Sequence, residues 1–522
     1  MQRYVGVDLG IRTGHRVAVL DGSERRGKPF SIEVSREGFE KFLQRAAEGT
    51  EGRVKIVLEP TGLAWVPLAA YASAAGHQIY LVKPQKAKQL RKFLREYIKT
   101  DCVDAETAAR LPQVDPHGVY ELSLPTAEQM TLLRLVRRRE RLAEQIGDNK
   151  RRVHALLVMA NPSLMAALGD SAFGRGARAF FRRYTDPEDV IKKGIEPLKK
   201  FWQKHSKGQA SSEVVERVYQ ACKTTAELYR ELRQKDKLPF DYREVQQEIN
   251  AELDLIDYLD KRVGELNERI AEKYQQRDPE RTLEKQLPGI GPVIASAIEA
   301  LVGNVDRFSN GRKFVAYTGL CPRKKQSGLR DQPMPITKAG NRLLKKYLYL
   351  AAQVARLYDP DFAVYYMRRY QRGQKHNKIM IALARKMAVR VFALLKRRQV
   401  ARLQGQTAAN PQTVQYVLRD PEGHSIDKKQ ARQLILAKFS RTHTGEQKAS
   451  KKTLKQKKTE NTVSANVEWP STDATNAKPA PPSLISVSRQ NNECNQNRSR
   501  SDWESLGDLL HRLLQNYDAE KP

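Results

Sequence analysis

Tyr4-Val5-Gly6-Val7-Asp8 and Val54-Lys55-Ile56-Val57-Leu58-Glu59 are the two stretches from which the fold of this chain is read. Each is a short apolar run rich in β-branched residues, of the length and composition of a buried strand, and each ends in an acid. Further on, Lys99-Thr100-Asp101-Cys102-Val103-Asp104-Ala105-Glu106 carries two carboxylates three residues apart. On a helix that spacing puts Asp101 and Asp104 on one face. If Asp8, Glu59, Asp101 and Asp104 converge, like charges ~4 Å apart repel by roughly 4 kcal/mol per pair at an effective dielectric near 20. Cations are then needed to hold them together. Oxygen-only ligands suit Mg²⁺ or Mn²⁺, and two such ions clamp the attacking and leaving oxygens of a phosphoryl transfer.

Working outward from these stretches, residues 1–112 read as strands and helices in alternation. Strands are predicted at Tyr4 to Leu9, Arg16 to Leu20, Phe30 to Val34, Val54 to Leu58 and Ile79 to Val82. Helices are predicted over Ser35 to Ala47, Leu63 to Ala75, Pro84 to Leu94 and Asp101 to Leu111. Three strands come first, then strand and helix alternate. That order suits an α/β domain of RNase H-like type, with hairpin strands followed by crossover strands, and it sets acids at strand ends and on a flanking helix.

The chain has 522 residues, with 93 Lys and Arg against 60 Asp and Glu, a formal charge of +33. That excess points to a polyanion, above all nucleic acid, the bland alternative being a basic protein whose charge is merely solvated. The 40% apolar content suffices for sizeable cores. Cys102, Cys222, Cys321 and Cys494 form no CxxC pair, which argues against a zinc site or disulfide framework. The chain starts into a strand without a signal-like apolar region, and no stretch approaches the ~20 apolar residues of a membrane span. The expected place is the cytoplasm, at the nucleoid.

From Thr126 to Met159 the chain is helix-prone, with Leu132, Leu135, Val136, Ile146, Val153 and Leu157 on one face and Arg134, Arg137, Arg138, Arg139 and Arg141 off it. A second long helix is predicted from Tyr242 to Tyr274, with Ile249, Leu253, Ile256, Val263, Leu266 and Ile270 at three- and four-residue steps. The two read equally well as an antiparallel coiled coil, as a helix pair joined to a partner's, or as core faces of a bundle. Helical pieces between them, at Ala166 to Tyr184 and Pro187 to Trp202, suggest an inserted cap. A compact, mainly helical region follows from Leu283 to Arg398. Beyond it, the lysine-rich Lys448 to Lys458 and an Asn/Ser/Pro-rich run predict disorder over 440–500, with a short apolar-faced helix around Trp503 to Leu514.

Leu287-Pro288-Gly289-Ile290-Gly291-Pro292-Val293-Ile294-Ala295-Ser296 has the form of a helix-hairpin-helix turn, in which glycines let the backbone approach a phosphate. An ordinary Gly-Pro turn between helices is the plainer reading. Cys321-Pro322-Arg323-Lys324-Lys325-Gln326-Ser327-Gly328-Leu329-Arg330 sets one serine among cations, and Lys338-Ala339-Gly340-Asn341-Arg342 opens a helix. Read alone, Ser327-Gly328 is a turn. The next histidine is His376, so no Ser-His pair is argued; cations can instead stabilise a serine alkoxide and the phosphate it attacks.

Taken in order, Gly6-Val7-Asp8-Leu9-Gly10, Leu58-Glu59-Pro60-Thr61-Gly62, Lys99 to Ala105, the Leu287 to Ser296 hairpin, Ser327-Gly328, Ile336 to Leu343 and His376-Asn377-Lys378 closely resemble the DEDD transposases of the insertion-sequence 110 family. These are relatives of the Piv DNA invertases, and their guided members use a bridge RNA. The resemblance spans residues 4–400 and implies four regions. A RuvC-like domain (1–115) would hold Mg²⁺ or Mn²⁺ on Asp8, Glu59, Asp101 and Asp104. A helical coiled-coil linker (116–280) would serve assembly as a dimer or dimer of dimers. A transposase domain (281–400) would supply Ser327 as nucleophile, with nucleic-acid contacts expected at Gly289, Gly291, Arg323, Lys324, Lys325, Lys338, Asn341 and Arg342. A basic, largely disordered extension (401–522) falls outside the family pattern.

The resemblance further implies that a structured noncoding RNA pairs with donor and target DNA, leaving the protein to read backbone and shape. The function expected is therefore an RNA-guided DNA recombinase. Two alternatives stand beside it: a RuvC-like nuclease or junction resolvase using metal-activated water, and a nucleic-acid-binding protein without catalysis.

Overall fold

The computed structural model describes residues 2–50, 53–94, 100–169, 172–206, 211–327, 330–337 and 339–404, with short pieces at 418–419, 424–427, 430 and 433; the side chains of 324–327 and 330–333 are outside that set. The expected disordered tail and its helix around Trp503 to Leu514 lie outside the described residues. The chain divides into two compact units, one of residues 1–131 with 302–309, the other of 132–301 with the chain from 310 onward.

The first unit is built on a mixed sheet. Its strands are β1 (Arg3–Asp8), β2 (His15–Asp21), β3 (Glu24–Arg25), β4 (Phe30–Ile32), β5 (Lys55–Leu58), β6 (Gln78–Val82) and β7 (Val119–Glu121). The order is β3-β2-β1-β5-β6-β7, and β4 also pairs with β2. β1, β5 and β6 are parallel, while β2 and β7 run against their neighbours. The hairpin strands and then crossovers expected from the sequence are therefore present, β3 and β7 being additions. Four helices cover the faces: α1 (Arg36–Ala47), α2 (Trp65–Ala74), α3 (Pro84–Leu94) and α4 (Asp101–Val114).

Period-two alternation sorts the strand side chains between two cores. Val5, Val7, Ile56 and Leu58 pack with Phe39, Phe42, Leu68 and Ala72 of α1 and α2. On the other face Val57 and Val82 pack with Ala87, Leu90, Ala108 and Leu111 of α3 and α4. Gly6 points to this second face, and a Cβ there would sit 2.0 Å from the Ala105 carbonyl oxygen and 2.5 Å from the Ala109 nitrogen. The helix backbone thus lies directly on the strand, which only glycine permits.

In the second unit, α5 (Ala127–Ala160, which starts in the first) and α11 (Tyr242–Arg277) run antiparallel. Arg139 bonds Asn267 at 3.3 Å, Arg152 bonds Glu252 at 3.2 Å, and the Tyr242 hydroxyl donates to the Ala160 carbonyl at 3.2 Å. Between them come α6 (Leu164–Leu168), α7 (Arg175–Phe181), α8 (Pro187–Lys193), α9 (Ile195–Ser206) and α10 (Ser212–Gln234). These share one core with the far half of the long pair: Val153, Leu157, Ile249 and Leu253 pack with Phe180, Phe181, Trp202 and Val218. The long helices are therefore an antiparallel pair and a bundle core at once.

Beyond α11 lie α12 (Thr282–Gln286), α13 (Pro292–Val302), α14 (Gly311–Thr318), the hairpin of β8 (Arg323–Ser327) and β9 (Arg330–Met334), then α15 (Arg342–Tyr358), α16 (Pro360–Gln371) and α17 (His376–Leu403). Two buried carboxylates tie this region together. Asp278, after α11, accepts from Arg398 of α17 at 2.9 Å and from the Thr282 nitrogen at 3.0 Å. Glu140 of α5 accepts from Lys346 and Tyr347 of α15, both at 2.5 Å, and from Arg139 at 2.7 Å. Burial pushes the Glu140 carboxyl up, but the bonds from Lys346 and Tyr347 outweigh it and hold the group below its usual range.

Two stability measurements check this packing. Gly6→Ala should destabilise the first unit by about 3 kcal/mol in denaturant melts, at the upper end of overpacking costs, because the obstacle is backbone. Glu140→Ala should cost about 2 kcal/mol, less than a fully buried pair because Lys346 stays half in solvent. A depressed carboxyl stabilises fully above its unfolded pKa of about 4.3 and loses this as pH falls through the lower folded value. The gap between wild type and Glu140→Ala should therefore be widest at neutral pH and close on acidification.

Candidate active site

Sheet register brings the first two acids together. Val7 pairs with Leu58 across parallel β1 and β5, so Asp8 and Glu59, the next residue of each strand, leave the sheet at the same end on strands about 4.8 Å apart. The direction of α4 adds the other two. Gln113 near its C-terminus donates to the Gly22 carbonyl at 2.7 Å, and the Gly22 nitrogen donates to Gln2 beside the start of β1. With Ala105 and Ala109 over Gly6, α4 must run against β1. Its first turn, carrying Asp101 and Asp104, therefore lies toward the end where Asp8 emerges. Thr100 caps the helix, its hydroxyl accepting from the Val103 nitrogen at 3.3 Å, and both acids complement the positive end of the helix dipole.

All four positions thus share one end of the unit. Asp8, Glu59 and Asp104 are partly buried and Asp101 is exposed. Among the described residues no group of three or more His, Cys, Asp or Glu is arranged to hold a metal ion. Asp104 is ion-paired with Arg91 of α3. Glu106, two residues further on, is bound by Arg110 at 2.9 Å and approached by Arg25 at 3.5 Å. As a donor set, four carboxylates fit a hard divalent cation such as Mg²⁺ or Mn²⁺. The sequence reading missed Arg91; the clue was a basic helix, with Lys86, Lys88, Arg91 and Lys92, directly before an acidic one.

The second candidate region lies around the β8–β9 hairpin. Ser327 is the last residue of β8, in register with Arg330. The turn expected at Ser327-Gly328 joins two paired strands; the side chains of Ser327, Lys324 and Lys325, and the whole of Lys338, lie outside the described residues. Its base is held by backbone bonds from Thr337 to Cys321 (3.2 Å) and from Asn341 to Tyr317 (2.7 Å), and Lys345 donates to the Thr337 carbonyl at 3.0 Å. Asn341 caps α15, accepting from the Leu344 nitrogen at 3.0 Å, and its amide donates to the Tyr317 hydroxyl at 3.1 Å. Arg323 and Arg342 are exposed.

The two glycines of the Leu287 turn differ. Gly289 has φ +88°, and a Cβ there would lie 2.3 Å from the Ala351 carbonyl oxygen, so this glycine seats the turn on α15. Gly291 is exposed with nothing within 4 Å of such a Cβ, beside the start of α13. His376 opens α17 with its Nδ1 2.8 Å from the Tyr366 hydroxyl. Burial and then the charge of Arg356 push its pKa down to about 4, so it is neutral at neutral pH.

Comparison with known proteins bears on both regions. A family model described as a transposase matches residues 5–162, and a model of the transposase IS116/IS110/IS902 family matches residues 282–367. The 44.8 kDa protein of insertion element IS116 from Streptomyces clavuligerus is 25% identical over 75% of this chain and 94% of its own length. The 43.6 kDa protein of insertion element IS110 from Streptomyces coelicolor is 23% identical over the same shares. A pilin gene-inverting protein from Moraxella lacunata is 27% identical over 21% of this chain and 35% of its own.

An RNase H-like sheet with acids at one end, followed by a largely helical region, and matched in both parts by transposase models, belongs to an enzyme that acts on DNA. The chain is a transposase of the IS110/IS116 family. No helix among its described residues is long and apolar enough to cross a membrane.

The cap and the nucleic-acid role expected of Asn341 can be separated. Asn341→Asp keeps the cap and loses only the amide's bond to Tyr317, so it should lower the melting temperature less than Asn341→Ala, which loses both and should cost about 1 kcal/mol or more.

Proposed function

We propose that this transposase is an RNA-guided recombinase in which Ser327 forms a covalent link to DNA while Asp8, Glu59, Asp101 and Asp104 hold Mg²⁺ or Mn²⁺. The observation that carries the reading is the shared sheet end of the four acids, reached from two parallel strands and an antiparallel helix. When bound there, the cations would supply positive charge for a phosphoryl group in transfer. The Ser327 oxygen attacks the phosphorus of a phosphodiester, an Oγ–P bond forms as the P–O3′ bond breaks, and the serine proton is lost as the departing oxygen becomes a 3′-hydroxyl. Rejoining to a second strand reverses these steps.

The reading requires Ser327 and the acids to meet on one phosphate, within one chain or between copies in a dimer or dimer of dimers. A structured bridge RNA pairing with donor and target DNA would leave the protein to hold backbones, which suits a charge of +33.

Trapping the covalent product on labelled DNA tests this. Wild type should yield a protein–DNA adduct in Mg²⁺; Ser327→Ala should yield none, and Asp8→Ala should reduce it by at least about a hundredfold, the scale of losing one electrostatic catalytic group. Cleavage that persists in Ser327→Ala with no adduct from wild type would instead establish a metal-water nuclease. Absence of both cleavage and any Mg²⁺-dependent rise in melting temperature would leave a binding protein. Sequencing RNA that copurifies with the chain tests the guide.

A further inference from the structure

The arginines of α5 do not share one role. Arg139 turns inward, bound to Glu140 at 2.7 Å and Asn267 at 3.3 Å. Arg134, Arg137, Arg138 and Arg141 are exposed, and among the described residues none has an acidic side chain within ion-pairing distance. At 100° per residue these four fall within about 100° of helical arc, opposite the buried Leu132, Val136 and Leu157. Further along the same helix the pattern changes: Arg151 pairs with Asp148, and Arg152 with Glu252 at 3.2 Å. Like charges at three- and four-residue spacing destabilise a helix, so an uncompensated cluster where the helix elsewhere supplies acids calls for an external anion.

The cluster is also not isolated. Glu140, within the same turns, is held by Lys346 and Tyr347 of α15, so the stripe lies beside the N-terminal turns of α15, where Arg342 is exposed. Arg134 to Arg141 covers about 10 Å of helix, the length over which one strand of a duplex presents about three phosphates.

We propose that Arg134, Arg137, Arg138 and Arg141 form a phosphate-backbone track for nucleic acid, continuing from the start of α15 onto the long helix. This rests on the nucleic-acid reading of the protein and adds a surface to it. The track reads no sequence, since its side chains meet phosphates and not base edges.

The test is fluorescence anisotropy with the full chain over a salt series, using a labelled duplex DNA and a labelled RNA hairpin. The variant R134Q/R137Q/R138Q/R141Q should bind at least one probe tenfold or more weakly, with a log–log salt slope shallower by roughly two to four, about 0.9 per lost phosphate contact. The four-lysine counterpart should restore most of the slope. An equal charge loss at positions paired with acids of the same chain, R151Q/R152Q/K235Q/R262Q, where Lys235 pairs with Glu231 and Arg262 with Glu265, should change it by less than about one. A loss confined to RNA or to DNA supports the track and names its ligand. An unchanged slope on both probes, an equal loss in the paired-site control, or binding of anionic vesicles in place of nucleic acid overturns it. If wild type binds neither probe, the nucleic-acid reading falls too; if wild type binds and the variant matches it, only the track falls. Should the fourfold variant fold poorly by circular dichroism, R134Q/R138Q is read the same way.

Discussion

The contact between the backbone of α4 and Gly6 of β1 is the constraint on which the acid edge depends. A side chain at position 6 would meet the Ala105 carbonyl oxygen at 2.0 Å, so the helix can lie this deep only on glycine, with alanines at its own contact positions. That depth brings the first turn of α4 to the strand that ends in Asp8. A helix held off by even one methyl group would carry Asp101 and Asp104 away from Asp8 and Glu59. The geometry of the proposed metal site is thus a packing property before it is an electrostatic one.

The second unit is organised by buried charge as well as by apolar stripes. Hydrophobic contact along α5 and α11 is tolerant of small shifts along the helix axes, because one leucine can replace another against the same groove. Glu140 with Lys346 and Tyr347, and Asp278 with Arg398 and Thr282, are not tolerant, since a shift would strand a charge away from water. These pairs set where α15 and α17 sit. Through α15 they also set the Gly289 turn and the base of the β8–β9 hairpin, which are the parts of this unit proposed to meet DNA.

Much of the architecture was legible because its signals are local. α3 spans Pro84–Leu94 as its periodicity indicated, and α5 and α11 differ from expectation by a few residues at their ends. α4 runs past Pro112 to Val114, because one lost N–H near a helix end costs little where Leu111 and Pro112 are buried. The β8–β9 hairpin was not legible: Arg323 to Met334 lacks apolar alternation, and its strands are defined by pairing with each other and by backbone ties at Thr337 and Asn341. β7 was missed for the same reason, since three residues carry no periodicity and become a strand only against β6.

Of the candidate site, the sequence by itself determined which residues carry charge and at which element ends they stand: acids at the ends of β1 and β5 and at the start of α4, arginines along α5. Those facts follow from covalent order and from two- and 3.6-residue periods, which act over neighbouring residues. Only the tertiary structure decided that α4 runs against β1, so that its acids reach the same end, and that Arg91 takes Asp104. It also decided that Gly289 serves α15 while Gly291 stays open, and that Arg139 alone, among the five arginines from Arg134 to Arg141, turns inward. Each of these depends on what stands opposite a side chain in space, and that partner is dozens to hundreds of residues away, beyond the reach of any local pattern.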